Sequence, residues 1–137
     1  MATIRHLAEQ ALTAYLDGAG LGVTVAAGTA SDDKEAPLVI CTATEWEEDE
    51  HDLNWFRVKA TIEVKAPASD GAAAFDTLCT AVRDAIRILD LGDELAAAQD
   101  GIVFADGGTS DKDRGTFAVA EDIWVETREL ELYCALS

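Results

Sequence analysis

Apolar residues recur at helical spacing in two stretches of the chain. Ile4, Leu7, Ala8, Ala11, Leu12, Tyr15 and Leu16 fall three and four apart, which places them on one face of a helix. Thr3 stands where a cap belongs, and Gly18 and Gly20 mark the end. Phe75, Leu78, Cys79, Val82, Ala85, Ile86 and Leu89 form the second stripe, with Asp70 as its expected N-cap. Arg83 and Arg87 fall toward its C-terminal half, where the helix dipole favours positive charge. Gly92 breaks that pattern, and Asp93–Ala98 suits a further turn or two.

Strand patterns fill the rest. Val23–Ala27 reads as a short strand, and Gly28–Ala36 as a polar loop closed by Pro37. Leu38–Thr44 has a nearly continuous apolar centre, the mark of a strand covered on both faces. Trp55–Lys65 alternates strictly: Phe56, Val58, Ala60, Ile62 and Val64 against Arg57, Lys59, Thr61, Glu63 and Lys65. The acidic run Glu45–Asp52 between these strands is expected to be the connection of a long hairpin. Three basic residues on one wet strand face call for acids across the ladder. Ile102–Ala105, Thr116–Ala120 and Ile123–Leu136 complete the strands, and Asp106–Gly115 reads as an exposed loop. In the last strand Trp124, Leu130, Leu132, Cys134 and Leu136 share one parity; Val125, Thr127, Glu129, Glu131 and Tyr133 share the other. The whole, residues 1–137, predicts one α+β domain. A mostly antiparallel sheet carries two main helices on one face and includes a long β-hairpin.

Charge narrows the functional classes. The 137 residues carry 27 acids against 10 bases, a net charge of −17. Such a surface neutralises no phosphates and releases no counterions, so binding to bare nucleic acid or to an anionic membrane is not expected. Acidity shared across a salt-adapted proteome would also produce this balance. Cys41, Cys79 and Cys134 are far apart and form no C-x-x-C pair, which predicts buried free thiols in a reducing compartment. The opening residues lack a basic tip followed by an apolar run, and no stretch approaches a membrane span; a soluble protein is expected.

Candidate chemistry is sparse. His6 and His51 belong to different elements and to no metal motif. His51 sits among Glu48, Asp49, Glu50 and Asp52, yet adjacent positions on a turn fix no coordination geometry. Asp106–Gly115 lacks calcium-loop spacing and is interrupted by Lys112 and Arg114. No phosphate loop and no nucleophile elbow occurs in the sequence. The informative residues are Trp46, Trp55 and Trp124, each readable as a core lid or as an interface anchor.

In order, length and character of elements, nearly the whole chain resembles the tail terminator, or tail completion, proteins of long-tailed bacteriophages. The resemblance is carried by the opening helix Ile4–Leu16, the strand after Gly22 and the Pro37-led strand. It continues through the acidic hairpin, the alternating strand Trp55–Lys65, the helix Gly71–Leu89 and the two later strands Ile102–Ala105 and Ile123–Leu136. It implies a virion protein of the tail neck, assembled in the host cytoplasm. Such a protein forms a ring with copies of itself, commonly a hexamer, on the end of the tail tube protein. There it stops polymerisation and meets the head-tail connector. DNA passes through without specific binding, and neither catalysis nor a cofactor is implied. On this reading Trp46, Trp55 and Trp124 are candidate contact residues. Glu45, Glu47, Glu48, Asp49, Glu50 and Asp52 are candidates for an acidic bore or rim. A head-side joining protein, a DNA-mimic inhibitor and a small enzyme with a carboxylate site are the competing readings.

Overall fold

A computed structural model describes residues 3–28, 35–105 and 114–137. Helix α1 (Ile4–Asp17) starts where the Thr3 hydroxyl accepts from the His6 N–H at 3.2 Å, a side-chain N-cap. The remaining elements run β1 (Thr24–Ala27), β2 (Leu38–Glu48), β3 (Trp55–Pro67), a 3-10 turn (Ala68–Asp70), α2 (Ala72–Ile86), α3 (Leu91–Ala98), β4 (Ile102–Phe104), β5 (Gly115–Ala120) and β6 (Ile123–Leu136). The expected loop Asp106–Gly115 falls mostly outside the described residues, as does much of Gly28–Ala36.

The strands form one six-stranded sheet ordered β1-β2-β3-β6-β4, with β5 also paired to β6. Among the described residues only the β1–β2 pair is parallel. The fold is α+β. The apolar parity of β3 meets Val39, Cys41 and Ala43 of β2 and Leu130, Leu132 and Cys134 of β6 on one face. Both main helices cover that face. Their stripes, including Ala8, Leu12, Leu16, Phe75, Val82 and Ile86, join the same core. Ala26, Leu38 and Ile40 make a small separate cluster on the other face, so the centre of β2 is buried on both sides, as its apolar run predicts.

Local departures from the sequence expectation have physical causes. Asp70 does not cap α2: Gly71 takes the cap position at φ 91°, a conformation costly for other residues, and no side chain caps the helix. Helix α2 stops at Ile86, leaving Leu89 almost wholly exposed rather than on the stripe. Gly92 does not break a helix but is buried in the first turn of α3.

The acidic run is only partly a connection, because β2 continues through Glu48. A bulge between Ala43 and Glu45 accommodates Thr44, after which the ladder resumes at Glu45 opposite Lys59. A buried acid holds this bulge. Glu9 of α1 is fully enclosed, and its Oε1 accepts the Ala43 N–H at 3.0 Å. The same oxygen receives the Arg5 guanidinium at 3.3 Å, and Arg5 also donates to the Ala43 carbonyl at 3.2 Å. Among the described residues Glu9 Oε2 has no hydrogen-bond partner.

Two predictions follow from this packing. Glu9→Ala strands the Ala43 N–H and half-buried Arg5, at a cost of about 2–4 kcal/mol; Glu9→Gln keeps an acceptor and costs roughly half as much. Urea midpoints at constant slope measure both. Burial pushes Cys41, Cys79 and Cys134 up to about 12. In the native protein a thiol reagent at neutral pH therefore labels these cysteines slowly, and after denaturation it labels all three.

Candidate functional site

The helix-free face of the sheet carries a band of charged side chains. Alternation along three adjacent strands brings Glu45 and Glu47 of β2, Arg57, Lys59, Glu63 and Lys65 of β3, and Glu129 and Glu131 of β6 to this side. Lys59 pairs with Glu45 at 3.3 Å across the ladder, and Lys65 with Glu63 at 3.7 Å along β3. The expected cross-strand pairing of bases with acids is thus realised at Lys59. Both its partners are well exposed, so the pair stabilises little and chiefly offsets like-charge repulsion. A shallow open groove of about 480 Å³ runs past Glu45, Glu47, Arg57, Lys59 and Glu131.

At the hairpin end of this face lies a tight polar and aromatic cluster. The Asp49 N–H donates to the Trp55 carbonyl at 2.8 Å and closes the turn. The Asp49 side chain turns inward, accepting from the Tyr133 hydroxyl and, at 3.0 Å, from the His51 N–H. Arg57 approaches the same carboxylate at 3.5 Å and lies 5.9 Å from the Tyr133 ring centroid. Trp55 stacks on the other aromatic, with ring centroids 5.1 Å apart. The Tyr133 hydrogen bond, then that from His51, holds the Asp49 carboxyl below its usual range. The same bond pushes the Tyr133 phenol up to about 12.

The six acids of the run therefore do not form one cluster. Glu45 and Glu47 face the open side, whereas Glu48 stands opposite Phe56 on the helix side and accepts from the Asn54 N–H at 3.4 Å. Asp49 is nearly buried; Glu50 and Asp52 are exposed in the turn. The three tryptophans also part company. Trp46 is 55% exposed. Trp55 is half-buried in the stack with Tyr133. Trp124, half-buried on the helix face, meets Phe75 edge-on at 5.7 Å. His6, in the first turn of α1, and His51, in the turn between β2 and β3, are both exposed. Among the described residues no group of three or more His, Cys, Asp or Glu side chains is placed to hold a metal ion, and no helix is long and apolar enough to cross a membrane.

Sequence reading missed the Asp49–Tyr133 bond because its partners lie in different strands, and nothing local in either segment announces it. It missed Glu9 as well, although a signal was present: Glu9 lies at the edge of the apolar arc beside Leu12 and Leu16.

The linked shifts set a pH window. A carboxyl held below its usual 3.8 adds stability above that value and loses it as pH falls through the lower folded value. A phenol raised from 10.0 to about 12 adds stability below 10 and loses it as pH climbs toward 12. Tyr133→Phe is therefore less stable than the parent between these limits, and the gap narrows at pH 3 and again above pH 10. Denaturant titrations at pH 3, 7 and 11 read the effect.

No family model matches the chain, and no curated protein matches it.

Proposed function

We propose that this protein is a structural component of the phage tail neck that forms a ring on the tail tube and ends its growth. The observation that carries this reading is Trp46. It is a large aromatic left exposed in β2, on an ordered strand, opposite Val58 on the helix side, while its sequence neighbours Glu45 and Glu47 face the open side. An exposed, rigidly held Trp is the kind of residue that anchors a protein contact. The net charge of −17 suits a surface past which DNA slides, since like charge at close range repels a polyanion. The polar sites described above are accounted for by folding: Glu9 holds a bulge, and Asp49 closes a hairpin. On this reading the exposed surface serves protein contact. A DNA-mimic role draws less support, because Arg57, Lys59 and Lys65 interrupt the acids of the open face.

The proposed partners are further copies of the chain, the tail tube protein and the head-tail connector, with the virion neck as the site of action. The test is to mix the protein with its tail tube protein during polymerisation and measure tube lengths by electron microscopy. Shortened tubes bearing a terminal ring are expected, and Trp46→Ala should weaken capping at least about tenfold. Tubes of unchanged length with the parent protein would remove this reading.

A further inference from the structure

Strand β5 is an edge without the usual protections. Among the described residues it pairs only with β6, and all six of its residues are exposed. Exposed edges are ordinarily blunted by charge, proline or a bulge. Gly115–Ala120 contains no charged residue and no proline, and its register with β6 is unbroken. Phe117 and Val119 stand 60% and 58% exposed on the helix side, next to Phe75 and Trp124. Gly115 is fixed in place, since a Cβ there would lie 2.7 Å from the Thr127 carbonyl. In a chain of net charge −17, an uncharged strand is where two copies repel each other least.

We propose that β5 is a self-pairing edge, through which two copies of the chain join antiparallel about a two-fold axis at Ala118. The sequence is complementary to itself in that register. Ala118 faces Ala118 of the second copy, and Thr116 faces Ala120. Phe117 lies opposite Val119, an aromatic against a β-branched residue on the helix side, twice by symmetry. The flanking charges complete the match. Arg114 precedes the strand, and its carbonyl accepts from the Glu129 N–H at 3.3 Å, which keeps it in line with the ladder. The Glu121–Asp122 turn follows the strand. In the same register Arg114 comes opposite Asp122 of the second copy, with Glu121 adjacent, at both ends of the contact. The contact is isologous and so closes on itself after two copies. A single six-residue ladder is smaller than the roughly 1,200 Å² of total buried surface typical of stable complexes, so the dimer forms in the micromolar range or weaker. The inference does not rest on the tail-neck reading.

Sedimentation of the full chain across concentration should show a monomer–dimer equilibrium. Under mild oxidation Ala118→Cys should form a covalent dimer, whereas Thr116→Cys, offset from the axis, should not; the three native cysteines are buried. Arg114→Glu should weaken the dimer about tenfold, and adding Asp122→Arg should bring it back to within about threefold of the parent. Circular dichroism confirms that each variant folds, and the charge pair tests the register independently of the cysteine variants. A parent that stays monomeric at every concentration overturns the proposal. So does a dimer, or a larger assembly, in which residue 118 is not bridged and the charge exchange restores nothing.

Discussion

The alternation of β3 is the constraint on which the rest of the structure depends. All thirteen of its residues are in register with β6, and Phe56–Lys65 are also in register with β2 on the other side, so its faces are fixed along its length. One face carries Val58, Ala60, Ile62 and Val64 into the core beneath the helices. The other carries Arg57, Lys59, Glu63 and Lys65 to the open side. A slip of one residue would bury three bases and expose the core. The helix layer, the charged face and the hairpin cluster all inherit their placement from this one strand.

Polar groups then refine what burial sets. Glu9 reaches from α1 to the one point where the β2 ladder skips a residue, tying helix to sheet by a charged hydrogen bond rather than by packing alone. Asp49 does the same for the hairpin, joining its turn to Tyr133 two strands away. These two carboxylates are withdrawn from a surface that is otherwise strongly acidic. Bases on the open face offset part of the remaining repulsion, with Lys59 set directly against Glu45.

How much of this was legible in the chain depends on the range of the interaction. Periodicity reflects burial of a neighbour every second or every third and fourth residue, so α1, β3 and β6 were readable almost to their ends. The C-terminal half of β2 was not, because Glu45–Glu48 resembles a solvated loop until Lys59 and Arg57 are placed across from it. The end of α2 failed for a related reason: Leu89 continues the apolar spacing, but the backbone leaves the helix at Arg87. The cap was misjudged at Asp70 because Gly71 turns the chain with a positive φ that spacing does not reveal. Of the candidate site, the segment holding Trp46 and the acids was visible, but their division between two faces and a buried position required the register. The exposed pair Phe117 and Val119 had no signal of its own, since a buried and an unburied edge strand share one pattern.

The pairing of β3 with β6 has a kinetic side. Its β2 neighbour lies just across a short turn, but its β6 neighbour begins at Ile123, after three helical segments and two further strands. Closing so long a loop costs entropy before any ladder bond repays it, and sheets joined this way form on the millisecond-to-second scale rather than in microseconds. Until β6 arrives, β3 presents a bare row of backbone donors and acceptors above an uncovered apolar surface. Loop closure therefore favours the hairpin before the completed sheet, and an uncompleted β3 edge is the part of the chain most open to misassociation.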